Sequence, residues 1–232
     1  MPNRPDLLAV LIDADNVPPK FAKGLFEEIA KLGEPSVRRC YGDFSADRLK
    51  GWADIMGLYG MVPVHQPSYT SKKNSSDIAL VIDAMDLMHS GRFDGFVLVS
   101  SDSDFIRLAS RLREHGLTVY GMGEQKTNEA FRQVCKRFIF LENLLDQNDS
   151  HATKSRNKLT EAKKLVARAF DAMEGDEDWM HLDQLGQSLA NANPDFDSRS
   201  YGFAKLSGLV AASNGFEVGR DANKRMIIRR IG

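Results

Sequence analysis

Six apolar residues, Leu7 to Ile12, run without interruption into Asp13, Asp15 and Asn16. A run so short and so apolar reads as a strand buried on both faces of a parallel sheet. Its C-terminal end then delivers acid groups to one edge of that sheet. In open α/β sheets the ligand crevice lies outside the C-terminal ends of the strands, so these carboxylates stand where chemistry is done. The useful question for the rest of the chain is what else arrives at that edge.

The first half alternates strand and helix patterns. Pro18 and Pro19 open a helix to about Lys31 with Phe21, Leu25, Phe26 and Ile29 at helical spacing, and Gly33 ends it. Residues Ser36 to Tyr41 read as a strand, Ala46 to Tyr59 as a helix and Met61 to His65 as a short strand. QPSYTSKKNSS, Gln66 to Ser76, is a polar loop carrying Lys72 and Lys73, and a helix follows to about His89. Gly95 to Ser100 is a second buried strand that ends in acids, here Asp102 and Asp104. A helix over Phe105 to His115, a strand over Leu117 to Gly123, a helix over Thr127 to Cys135 and a strand over Arg137 to Leu141 complete the pattern. This alternation predicts an α/β fold, a Rossmann-like three-layer sandwich with a parallel sheet, over residues 1–145.

Residues 146–157 are polar and read as a linker. Over 158–232 the sequence predicts helices at Leu159 to Met173, His181 to Ala192 and Ser200 to Ser213. A hairpin of Phe216 to Arg220 and Arg225 to Arg230 follows. Three helices and a hairpin are what a small winged helix-turn-helix domain needs.

Composition narrows the function classes. With 42% hydrophobic and 27% charged residues, the chain is neither disordered nor repetitive. No apolar run approaches the roughly 20 residues that span a bilayer, and the N-terminus lacks the apolar core of a signal peptide. A cytoplasmic protein without membrane association is the expectation. The net charge of −1 argues against a strongly basic nucleic-acid clamp. Cys40 and Cys135 lack metal-type spacing and are expected to be reduced, buried thiols.

If the strands ending at Asp13 and Asp102 are neighbours, then Asp13, Asp15, Asp102, Asp104 and Asp77, at the start of a helix in the same layer, converge within a few ångströms. Carboxylates gathered so closely repel one another, and burial worsens the repulsion. Mg²⁺ or Mn²⁺ relieves it, because both prefer oxygen ligands and can clamp the attacking and leaving oxygens of a phosphodiester. Each acid also has a purely structural reading. Asp15 and Asp102 stand where helix caps stand, and Asp77 suits a helix N-terminus. Asp83 lies about 120° round the helix from Asp77 and roughly 9 Å along it, so it reads as a hydrogen-bonded structural acid. Lys72 and Lys73 are either a solvated pair or a phosphate-steering pair.

IDADN at 12–16, KKNSSDIALVIDAMD at 72–86 and VLVSSDSDFIRLASRLREHGLTVYGMG at 97–123 together resemble the NYN family of PIN-like ribonucleases. The resemblance implies a metal-dependent RNA-cleaving site at Asp13, Asp77, Asp102 and Asp104, with Asn16 as a neighbouring polar residue and Asp15 as an accessory acid. Residues 181–218 resemble an OST-HTH (LOTUS) domain, most characteristically at Asp195, Phe196, Asp197, Arg199, Tyr201, Gly202, Lys205 and Leu206. Such domains are similar to winged helices that bind RNA or protein partners. From the residues alone, Tyr201, Phe203, Leu206 and Leu209 are expected in the core. Arg199 and Lys205 on the third helix, and Lys224, Arg225, Arg229 and Arg230 around the wing, are the candidates for phosphate contact.

The leading expectation is therefore a metal-dependent endoribonuclease acting on single-stranded RNA, with Mg²⁺ or Mn²⁺ as cofactor and a C-terminal module that recruits RNA or a protein partner. Two alternatives stand beside it. DADNV also resembles the opening motif of haloacid-dehalogenase phosphatases, in which Asp13 would be a nucleophile. A non-catalytic RNA- or protein-binding adaptor would keep the same acids without turnover.

Overall fold

A computed structural model describes residues 4–66, 75–145, 155–173, 179–213 and 215–231. The chain divides into two compact units, Met1–Leu145 and Asp146–Gly232.

The first unit is built on a six-stranded, wholly parallel sheet. Its strands are β1 (Leu7–Asp13), β2 (Glu34–Gly42), β3 (Val62–His65), β4 (Gly95–Val99), β5 (Thr118–Gly123) and β6 (Arg137–Phe140), in the order β3-β2-β1-β4-β5-β6. This is the doubly wound order, with its switch point between β1 and β4, where Ile12 lies opposite Val99. The two acid-ending strands are thus direct neighbours.

The alternation along β1 explains the layers. Leu8, Val10 and Ile12 face one core with Leu25 and Ile29 of α1 (Ala22–Ile29) and Trp52 and Met56 of α2 (Lys50–Tyr59). Ala9 and Leu11 face the other. There Leu80 and Ala84 of α3 (Ser75–His89), Leu108 and Leu112 of α4 (Ile106–Glu114) and Phe131 of α5 (Glu129–Val134) close the third layer. Leu8 through Ile12 are completely buried. At about 1.5–3 kcal/mol for each large side chain removed from water, β1 is the anchor of the unit. Its position is therefore rigid where its C-terminal carboxylate emerges.

Several helices enter through a tight 3-10 turn. Pro19–Phe21, Asp47–Leu49 and Ser103–Phe105 each precede an α-helix, so the predicted helix starts fall a few residues early. The Lys72 and Lys73 loop, with residues 67–74, lies outside the described residues.

The second unit holds α6 (Ser155–Asp171), β7 (Met180–His181), α7 (Leu182–Ala192), α8 (Leu206–Ala211), β8 (Phe216–Arg220) and β9 (Met226–Arg230). Residues 146–154 lie outside the described residues. The predicted hairpin is present, and the two residues of β7 add a third strand in the order β7-β9-β8. The third helix is shorter than expected. Ser198–Tyr201 forms a 3-10 turn, Gly202 takes a left-handed conformation (φ 86°), and Lys205 is extended before α8 begins. Gly202 ends the turn because it meets no Cβ penalty at positive φ. Tyr201, Phe203, Leu206 and Leu209 do pack in the core of this unit.

Among the described residues no helix is long and apolar enough to cross a membrane. Cys40 and Cys135 are free and buried, and burial raises both thiols well above their ordinary pKa, Cys135 to about 12. Neither is a reactive thiolate.

Candidate active site

Asp13 closes β1 and is almost completely buried, with 1% of its surface exposed. Its two oxygens differ. Oδ2 accepts hydrogen bonds from Ser100 Oγ and from Asn16 Nδ2, each at 2.7 Å, whereas Oδ1 accepts only a long backbone contact from Asn16 at 3.3 Å. Asp13 is therefore held by one oxygen while the other keeps unused lone pairs. Burial raises its pKa, and the hydrogen bonds from Ser100 and Asn16 work against that rise.

Ser100, at the end of β4, is also fully buried, and its hydroxyl accepts the Asp102 amide at 3.0 Å while donating to Asp13. It couples the two acid-ending strands directly. Asp102 caps the turn that begins α4, its Oδ1 accepting the Asp104 amide at 2.9 Å. The capping reading of Asp102 is thus observed, and it fixes where that carboxylate stands. Asp104 is exposed.

Asp77 lies on the first turn of α3, and its pKa is pushed up to about 6. Burial is the largest cause, followed by the charges of Asp13, Asp102, Asp15 and Asp104. Among the described residues these charges are all carboxylates, so the acids that the sequence nominates share one electrostatic neighbourhood. They do not form a finished ligand shell. Among the described residues, no three His, Cys, Asp or Glu side chains stand close enough to hold one ion. Being neighbours on β1 and β4 brings the acids into each other's fields.

Asp15 is not a helix cap, since the turn at Pro19 has no side-chain cap. Its Oδ2 accepts from Ser76 Oγ at 2.9 Å, and its Oδ1 lies 2.8 Å from Arg48 Nη1. That second contact is an ion pair outside hydrogen-bond alignment. Asp83 has the structural role expected of it. Tyr41 Oη donates to its Oδ2 at 2.8 Å, and Arg39 Nη1 lies 2.7 Å from the same oxygen. This ties α3 to β2, away from the Asp77 cluster.

Three contributors escape the sequence reading. Ser76 and Ser100 sit beside Asp77 and inside the VSSDSD stretch, so small hydroxyls flanking paired acids were an available signal. Arg48 had none, because only the pairing of β1 with β2 brings its loop to Asp15.

In the second unit, Arg199 is clamped by Asp197, Nε to both carboxylate oxygens at 3.0 Å and Nη2 to Oδ2 at 2.6 Å. Arg225 pairs with Asp221, Arg229 with Glu217 and Arg230 with Asp171. Lys205 and Lys224 are exposed and have no ion pair among the described residues. The basic candidates are therefore mostly matched by acids, and most such exposed pairs are weak enough to open.

A divalent cation fits this cluster in donor type and charge, since its hard oxygens repel one another and, among the described residues, the charges raising the Asp77 pKa are all carboxylates. Asp13 Oδ1, Asp77, Asp102 and Asp104 are the groups that would hold it.

Comparisons with known proteins identify both units by family. A family model described as the NYN domain matches residues 7–142, and one described as the OST-HTH/LOTUS domain matches residues 153–228. A protein of unknown function from Vibrio parahaemolyticus has a similar fold, with a TM-score of 0.51 at 18% identity, over 64% of this chain and 98% of that one. An uncharacterized protein from Nitrosomonas europaea is 31% identical over 38% of this chain and 93% of its own, with a TM-score of 0.29. No curated protein matches the sequence.

Proposed function

Because the chain belongs to the NYN domain family through residues 7–142 and carries an OST-HTH/LOTUS domain over 153–228, we propose that it is a metal-dependent endoribonuclease whose C-terminal unit engages RNA. The family is one of PIN-like nuclease domains, and OST-HTH/LOTUS domains bind RNA. The observation that carries the reading is the set of carboxylates at the β1/β4 switch point, whose charges add to burial in lifting Asp77 to about pKa 6.

The residues divide the work. Asp13 presents Oδ1 from a rigid buried strand, and Ser100 and Asn16 hold its other oxygen so that it cannot swing away. Asp77, Asp102 and Asp104 supply the remaining oxygen donors. A divalent cation of the Mg²⁺ or Mn²⁺ type, when bound, offsets this charge and acidifies water for attack on phosphorus. Asp77 holds a proton in acid solution and releases it near pH 6. Single-stranded RNA is the substrate we favour, and the Lys205 and Lys224 side chains are the C-terminal groups best placed by exposure to meet its phosphates.

The test is cleavage of a labelled single-stranded RNA with Mg²⁺ or Mn²⁺ by the intact chain and by Asp13→Asn. We expect cutting that chelation stops and that Asp13→Asn abolishes while the protein stays folded. Undiminished cutting by clean Asp13→Asn protein would overturn the assignment. RNA binding without any cutting would favour an adaptor, and turnover of a phosphomonoester through a phosphorylated Asp13 would favour a phosphatase.

A further inference from the structure

Arg48 lies in the 3-10 turn Asp47–Leu49 that follows β2, on the strand immediately beside β1, with 52% of its side chain exposed. Its Nη1 is held 2.8 Å from Asp15 Oδ1 without hydrogen-bond alignment, and among the described residues this is its one polar contact. The guanidinium is therefore drawn toward Asp15 by charge while its N–H donors remain uncommitted. Arginine carries five such donors in a planar fork suited to phosphate.

The surroundings are built to keep it there. Asp15 is itself braced by Ser76 Oγ at 2.9 Å. Gly42, the last residue of β2, leaves the space that the pair needs, because a Cβ there would lie 3.1 Å from Asp15 Oδ1 and 2.5 Å from Leu49 Cδ1. The opposite end of the same sheet edge differs. After β5, Lys126 is paired with Glu124, and after β6 Glu142 accepts the Gln125 amide. Arg48 and the acid cluster thus occupy adjacent strand ends, whereas beyond β5 the cation Lys126 is already paired.

Resting on the nuclease reading above, we propose that Arg48 binds a phosphate of the RNA strand next to the one positioned at Asp13, so that the strand enters the site from the β2 side. Asp15 then acts as the anchor that holds the guanidinium in place, which gives the accessory acid a role outside the metal donors. A side chain already biased toward one position loses less freedom on binding than a free one.

The experiment measures binding of a single-stranded oligoribonucleotide to the intact chain in EDTA, where no cleavage intervenes, over a range of salt concentrations. Arg48→Gln should weaken binding roughly tenfold at low salt. It should also flatten the slope of log affinity against log salt by about 0.7, the value of one phosphate contact on a single strand. Arg48→Lys should keep the slope and lose part of the affinity. Asp15→Asn should keep the slope, because the cation remains. Wild-type affinity and slope in Arg48→Gln would overturn the proposal, as would an equal loss of slope in Asp15→Asn, which would make Arg48 only a brace for that acid. If Arg48→Gln does not fold, Arg48→Lys decides, and unchanged affinity in it refutes the contact. A wild-type chain that binds with this slope but never cuts RNA would sink the nuclease reading and leave the Arg48 contact standing.

Discussion

Replacing Asp77 by Asn should stabilise the protein while destroying its activity. Asp77 is lifted from 3.8 to about 6 in the folded chain, chiefly by burial and then by four neighbouring carboxylates. In the unfolded chain it titrates near its ordinary value. Below about pH 4 both states are protonated and the residue carries no penalty. Between pH 4 and 6 the unfolded state has lost its proton and the folded state keeps it, so stability falls as pH rises. Above pH 6 the full penalty is present. Direct conversion of the shift gives about 3 kcal/mol. The carboxyl is only half-buried, and solvent screening reduces this to about 1 kcal/mol. Asn carries the same shape without the charge, so it should return that amount at pH 8 and almost nothing at pH 4. In a domain of this size the gain corresponds to a rise of about 2–4 °C in melting temperature. Calorimetry of wild type and Asp77→Asn at pH 4, 6 and 8, without divalent ions, measures it. Equal melting temperatures at pH 8, or a lower one for Asp77→Asn, would refute the claim that this carboxylate is held against its neighbours' charge.

Other consequences follow from the same contacts. Ser100→Ala removes a donor to Asp13 and leaves the Asp102 amide without its acceptor, so it should cost about 1–3 kcal/mol in chemical denaturation. It should also move the acidic limb of the pH–rate profile upward, because a hydrogen bond that lowers the Asp13 pKa is gone. Tyr41→Phe removes the buried hydroxyl that donates to Asp83 and should destabilise by about 1–3 kcal/mol, with the rate of RNA cleavage unchanged. The two variants therefore separate site from scaffold, since only the first alters the pH profile.

The parallel sheet was legible because β1 and β4 are continuous apolar runs that stop at acids, and each intervening segment carries helical spacing between Gly or Pro breaks. Asp13 and Asp102 could be nominated as the acids that end those runs, and Asp77 as the acid at the start of a helix in the same layer. Strand neighbours could not be read locally. Arg48 reaches Asp15 only through the pairing of β2 with β1, so no motif linked them. The carboxylates were expected to converge within a few ångströms, and the pairing of β1 with β4 and the Asp102 cap bring them within electrostatic range of one another. The C-terminal helix was overextended for a different reason. Its apolar spacing continues through Ser200 to Ser213, but Gly202 at positive φ interrupts the backbone beneath that pattern. The arginines of the wing looked available because their acid partners, Asp171 and Glu217 among them, lie on other elements.

The central claim is that these carboxylates form a divalent-cation site, and a crystal of the intact chain soaked in Mn²⁺ tests it most directly. The account predicts an anomalous peak against Asp13 Oδ1 that also contacts Asp77 and at least one of Asp102 and Asp104, and that is absent in Asp13→Asn. Mn²⁺ bound elsewhere, with the Asp13 cluster empty at a concentration that supports RNA cleavage, would contradict it.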